Sequence, residues 1–294
     1  MPYAKAKDGT MLYYKDWGRG DPVVLMHGWP LTGDTFDDLA IKLVEAGKRC
    51  IIPDRRGFGR SDQPWNGYDY DTFADDVAAV LEDAKIAQPV AIAGFSMGGG
   101  EVARFLSKQG RGRVSHAILI SSVVPKVARS DDYPDGVPQD QLKQITKQMK
   151  EDRYGFLQTF LKQFYGVGLV SHPVSDGVLQ ASFHQAIMAG ARPTYAAAQA
   201  WATTDFRPDM RAFEGVPTLI IHGSSDANVP AEGTGRKAAE LIPHAQYIEY
   251  DGSPHGVFET DKERLAGDVV EFLTRDMRGT TADTSASAIP LTRG

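Results

Sequence analysis

The feature that most constrains this chain is the passage from a strand-like run into a helix through one serine. Residues 89–95 read as a strand buried on both faces, and 97–109 read as a helix. Gly94-Phe95-Ser96-Met97-Gly98 joins them. A turn this tight strains the serine backbone and brings strand and helix close together, which the two glycines allow. The helix N-terminus beneath Ser96 favours negative charge, as an attacking alkoxide and a nascent oxyanion both require. A glycine-rich turn made for packing or for a phosphate is the blander alternative. The spacing does not fit Gly-x-Gly-x-x-Gly, and no Lys-Ser or Lys-Thr pair follows.

Strand-like and helix-like segments alternate around this junction. Residues 11–17 read as an edge strand and 22–27 as a buried one. A helix capped by Asp34 runs to about residue 46, followed by a strand at 49–53. Residues 71–85 set Phe73, Val77, Val80 and Leu81 on one helical face. After a strand at 113–120, the C-terminal part repeats the scheme, with strands at 216–222 and 246–250 and helices near 232–241 and 260–276. This alternation predicts a mostly parallel central sheet in a three-layer α/β sandwich. The length, 294 residues, suits one large domain.

Between about 125 and 208 the alternation stops. A polar loop at 130–139 leads into helical patterns near 140–165, 173–189 and 192–203. They are expected to form a helical cap over the C-terminal strand edge, where open α/β sheets bind ligands. The expected organisation is a core of 1–124 and 209–277, a cap of 125–208, and a disordered tail of 278–294, rich in Thr, Ser and Ala.

A serine hydroxyl needs a base to act as a nucleophile. His255, in the loop after strand 246–250, can reach the same sheet edge. Asp226, in the loop after strand 216–222, can orient that imidazole and stabilise its charged form. Either residue alone would pass as a surface loop residue; three such groups, each after a strand and in the order Ser, Asp, His, carry more weight. An oxyanion also needs backbone donors. Met97 supplies one and Trp29 the other, because Pro30 of His27-Gly28-Trp29-Pro30 has no N–H. Trp29, Phe95 and the cap aromatics Phe156, Phe160, Phe164, Phe183 and Trp201 are candidates for the pocket wall, though cap core is the simpler role for many of them. His116 reads as a packing residue, His222 as the holder of a structural hydrogen bond, and His244 as exposed. His172 and His184 lie on the cap surface or line the pocket. No histidine pair has metal-ligand spacing, so no metal is expected.

Five stretches, HGWPLTGDTFDD (27–38), PDRRGFGRSDQPWNGYDYDTFADD (53–76), AGFSMGGGEVARFLSKQG (93–110), IHGSSDANVPAEGTGRKAAELIP (221–243) and SPHG (253–256), carry a family resemblance. The sequence resembles the cofactor-free bacterial haloperoxidases, or perhydrolases, and their aryl-esterase relatives, over most of 20–275. The resemblance implies an α/β-hydrolase fold, a Ser96–Asp226–His255 triad, Trp29 and Met97 at the oxyanion site, and no cofactor. It also implies hydrolysis of small acyl or aryl esters through an acyl-enzyme on Ser96, with perhydrolysis when hydrogen peroxide replaces water. Lactonase, amidase, γ-lactamase and C–C bond hydrolase activities use the same groups and stay open. Ser96 argues against haloalkane dehalogenase chemistry, which needs a carboxylate at this turn. A non-catalytic small-molecule receptor would not need all three groups.

Composition excludes several other classes. The net charge is −6 without a clustered basic patch, which disfavours nucleic acid. Arg55, Arg56 and Arg60 share one loop and read as solvated. The single cysteine, Cys50, rules out an internal disulfide and reads as a buried apolar residue. Residues 1–10 lack an apolar signal core, and no apolar run approaches the ~18 residues of a membrane span. A cytoplasmic protein acting on a small molecule is expected, with homo-oligomerisation left open.

Overall fold

A computed structural model describes residues 2–275. Eight strands, β1 (Tyr3–Lys5), β2 (Met11–Gly18), β3 (Asp21–Met26), β4 (Lys48–Pro53), β5 (Val90–Phe95), β6 (Val114–Ile120), β7 (Thr218–Gly223) and β8 (Gln246–Tyr250), form one sheet. Their order is β1-β2-β4-β3-β5-β6-β7-β8. The β1–β2 and β2–β4 pairs are antiparallel and every other pair is parallel. The helices are α1 (Asp37–Glu45), α2 (Tyr70–Asp83), α3 (Met97–Gln109), α4 (Gln139–Glu151), α5 (Arg153–Phe164), α6 (Asp176–Met188), α7 (Ala191–Thr203), α8 (Gly235–Leu241), α9 (Val257–Thr260) and α10 (Lys262–Thr274).

Successive side chains of a strand point to opposite faces, and here both faces are covered. Val24, Met26, Ile51 and Ile92 join Phe73 and Val77 of α2 and Val102 of α3 in one core. Val23, Leu25, Ile52 and Ala93 join Leu39 and Leu43 of α1 and Val269 of α10 in the other. All six residues of β5 are buried, so the chain emerges from the centre of the sheet at Ser96. Cys50 is fully buried, which pushes its thiol up to about 12.

The four helices α4–α7 fall between β6 and β7 in sequence. Trp29 Nε1, in the loop after β3, donates to Thr194 O at 3.0 Å and so ties α7 to the loop at the C-terminal end of β3. Among the described residues no helix is long and apolar enough to cross a membrane.

Four details differ from the expectations above. β2 is not an edge strand, because Tyr3 of β1 pairs with Tyr13; a strand of three residues is too short to show an alternation. The single pattern at 140–165 is two helices, broken at extended Asp152, whose carboxylate accepts from Gly155 N at 3.0 Å and caps α5. Asp34 caps no helix: Thr32 caps a short 3₁₀ turn, Gly33–Phe36, ahead of α1, and the Asp34 carboxylate pairs with Lys15 and Arg60 instead. Arg55 and Arg56 are buried rather than solvated, bonded to Glu101 of α3 and Asp76 of α2, carboxylates remote in sequence. The expected tail, 278–294, lies outside the described residues.

Candidate active site

Ser96 is built by backbone geometry. It stands between β5 and α3 with φ +53° and ψ −117°, a conformation that non-glycine residues hold only where their surroundings impose it. Its own N–H donates to Ile120 O at 2.8 Å. The crossing is so close that a Cβ at Gly94 would lie 2.2 Å from Gly98 O, and one at Gly98 would lie 2.2 Å from Met26 O.

Asp226 follows β7, and its Oδ1 accepts from Asn228 N at 2.9 Å and Val229 N at 2.8 Å. The carboxylate therefore fixes its own loop, leaving Oδ2 to face His255. His255 follows β8. Its Nδ1 donates to Asp226 Oδ2 at 2.6 Å, and its Nε2 accepts from Ser96 Oγ at 2.9 Å. The first bond places the imidazole proton on Nδ1 and leaves Nε2 free to take a proton. The ring is wedged between Phe95 and Phe164, with centroids 4.9 and 4.8 Å away. Burial alone would raise the Asp226 carboxyl. The two imidazoles beside it, His255 first and then His222, prevail and hold it below the usual carboxylate range.

Met97 is the first residue of α3, so its N–H has no carbonyl partner within the helix. Trp29 is buried in the loop after β3. A cavity of about 580 Å³ opens over Ser96 and His255, walled by Trp29, Phe156, Phe160 and Trp201. Phe95 does not line it: Phe95 shares a strand face with Ala91 and Ala93 and sits fully buried against His255. Phe164 packs with it, and Phe183 borders a separate groove between α5 and α6. Leu142 and Ile145 of α4 also line the cavity, though nothing in their spacing marked them for it.

His222 donates from Nε2 to Val229 O at 2.8 Å, the structural bond expected of it, and lies 3.2 Å from Asp226 Oδ2. His116 packs edge-on against Phe272, and exposed His244 bonds Val216 O. His172 and His184 are exposed and away from the cavity.

The family described as the alpha/beta hydrolase fold matches residues 21–262. The chain belongs to that family. It is 39% identical over 277 residues to a non-heme chloroperoxidase of Kitasatospora aureofaciens, covering 94% of this chain and all of that one. It is 38% identical over 276 residues to a bifunctional esterase/perhydrolase of Acinetobacter calcoaceticus, covering 93% and 99% of the two chains. The crystal structure of a bromoperoxidase from Bacillus anthracis superposes with a TM-score of 0.89 at 39% identity, again over 93% and 99%. Within the family the chain thus sides with the haloperoxidases and esterase/perhydrolases, and it is an esterase-type hydrolase.

Proposed function

We propose that this protein hydrolyses carboxylic esters with small acyl or aryl groups through an acyl-enzyme on Ser96. The observation that carries the reading is the unbroken chain from Ser96 Oγ through His255 to buried Asp226, with bonds of 2.9 and 2.6 Å. His255 Nε2 takes the hydroxyl proton as Oγ bonds to the ester carbonyl carbon. Asp226 holds the imidazole in the required tautomer and stabilises the imidazolium. The carbonyl oxygen becomes an oxyanion that accepts from the N–H groups of Met97 and Trp29.

Collapse of the tetrahedral intermediate breaks the bond to the leaving oxygen, which receives the proton from His255. Water then attacks the acyl carbon, giving its proton to His255; the bond from the acyl carbon to Oγ breaks, His255 returns the proton to Oγ, and the acid leaves. Hydrogen peroxide attacking in place of water would release the peracid, an activity the esterase/perhydrolase relative carries in its name. Residues 125–208 act as the cap that encloses the acyl group, over a core of 1–124 and 209–277, and Phe156, Phe160 and Trp201 set which acyl groups fit.

A panel of 4-nitrophenyl esters of graded acyl length, with and without hydrogen peroxide, tests the reading. The wild type should release 4-nitrophenol, and S96A should not. Turnover that survives in S96A defeats it.

A further inference from the structure

The sequence motif left unused by this mechanism is the histidine that opens the Trp29 loop. Arg55 N–H donates to His27 Nε2 at 2.9 Å, so Nε2 carries no proton and Nδ1 does. Nδ1–H in turn donates to Gly28 O at 2.9 Å, and Leu31 N–H donates to the same oxygen at 3.1 Å. The nearby Arg55 Nη1, 3.4 Å from Nδ1, is then a contact between two N–H groups. The Gly28–Trp29 peptide is trans, and a trans peptide sets its C=O and N–H on opposite sides. Pinning Gly28 O with two donors therefore also fixes the direction of Trp29 N–H. The Gly28 backbone itself lies on Ser96, since a Cβ there would come within 3.1 Å of Ser96 Cβ.

Behind His27 the Arg55 guanidinium makes a two-point ion pair with Glu101, whose Oε2 accepts at 3.0 Å, and also donates to His27 O. Both side chains are almost wholly buried. Glu101 sits on α3, the helix that begins with Met97. One guanidinium thus ties the loop that carries one backbone donor to the helix that carries the other.

We propose that His27, held as its Nδ1–H tautomer by Arg55, is the positioning residue that aims Trp29 N–H at the oxyanion. The proposal rests on reading Trp29 N–H as an oxyanion donor. Burial, with the Arg55 charge beside it, holds His27 well below the usual imidazole range, so the ring stays neutral and keeps this tautomer. Its effect falls on the transition state, where negative charge appears on the carbonyl oxygen, and not on ground-state binding.

Two substitutions in the full chain separate the two bonds. In H27N the amide nitrogen takes the place of Nδ1 and keeps the donor to Gly28 O. In H27Q the longer amide reaches the place of Nε2 and keeps only the acceptor for Arg55 N–H. With 4-nitrophenyl acetate, H27Q should lose ~100-fold in kcat, the scale of a lost oxyanion donor. Its KM should stay within ~3-fold, and H27N should keep kcat within ~5-fold of the wild type. Inhibition by an alkylboronic acid, which forms a tetrahedral adduct on serine, should weaken in H27Q in step with kcat.

Wild-type kcat in H27Q, equal losses in both variants, or a loss confined to KM overturns the proposal. Nitrogen-15 NMR of histidine-labelled wild type needs no variant to fold: His27 should show a proton on Nδ1 and a bare Nε2 from about pH 5 to 9. A proton on Nε2 overturns it. A wild type without Ser96-dependent turnover defeats the serine-hydrolase reading, while the tautomer measurement still judges the state of His27 by itself.

Discussion

Asp226 Oδ2 lies 2.6 Å from His255 Nδ1, with both side chains closed off from solvent. In so dry a contact the charge of the carboxylate decides which ring nitrogen carries the proton. D226N keeps the shape and removes the charge, so the imidazole can take the wrong tautomer. We expect kcat to fall by ~10³–10⁴-fold, with S96A and H255A losing at least as much, because such groups act as a unit. Steady-state kinetics on 4-nitrophenyl acetate measure this; a D226N rate within tenfold of the wild type would contradict it.

The same contact shapes the pH dependence. Asp226 is held below the usual carboxylate range, so it stays ionised throughout the neutral and mildly acid region. Protonated imidazole cannot accept the Ser96 proton, so kcat/KM should rise with pH along a limb of unit slope and then level off. A limb of slope two, or a profile with no acid limb, would show that another group controls the rate.

Asp76 gives a stability test remote from the chemistry. Its carboxylate accepts from Arg56 Nε and Nη2, both at 2.6 Å. Burial pushes this carboxyl up to about 6, against the pull of Arg56. The folded protein therefore holds the proton more tightly than the unfolded chain does. The stability gained this way is complete below the ordinary carboxylate range and is lost as pH rises through 6. D76N does not titrate, so the wild type's advantage over it should shrink by about 2–3 kcal/mol between about pH 4 and 7. Urea unfolding at both ends of that range measures the gap; a constant or widening gap would refute the sign.

Phe156 stands on α5 with its ring stacked on Phe160, 5.7 Å between centroids, and 6.5 Å from Trp29. F156A enlarges the cavity where an acyl chain would extend. The ratio of kcat/KM for hexanoate to that for acetate should rise by about tenfold, the worth of one or two methylenes in an apolar pocket. An unchanged ratio, with both esters slowed alike, would mean that Phe156 only supports the helix.

Much of this protein was legible because its signals are local. The run from β5 through Ser96 into α3 shows its period change and its glycines within a short stretch. The Asp226 and His255 loops each follow a strand with a clear apolar pattern. Where the reading erred, the deciding contact was distant. Phe95 looked like a pocket residue until pleating turned it beneath His255. Asp152 looked helical, although its carboxylate closes off the next helix at Gly155. The arginine-rich loop looked solvated because its carboxylates come from α2 and α3.

The sequence by itself determined the alternating architecture, the strained serine turn and the chain order of Ser96, Asp226 and His255, since backbone period and turn chemistry are written in neighbouring residues. Only the tertiary structure decided that His255 meets a serine 159 positions away. It alone brought the α4 side chains over the cavity, and Arg55 against His27 behind the Trp29 loop. Those contacts arise when the strands stack side by side and their C-terminal loops converge, a proximity in space that leaves no periodic trace along the chain.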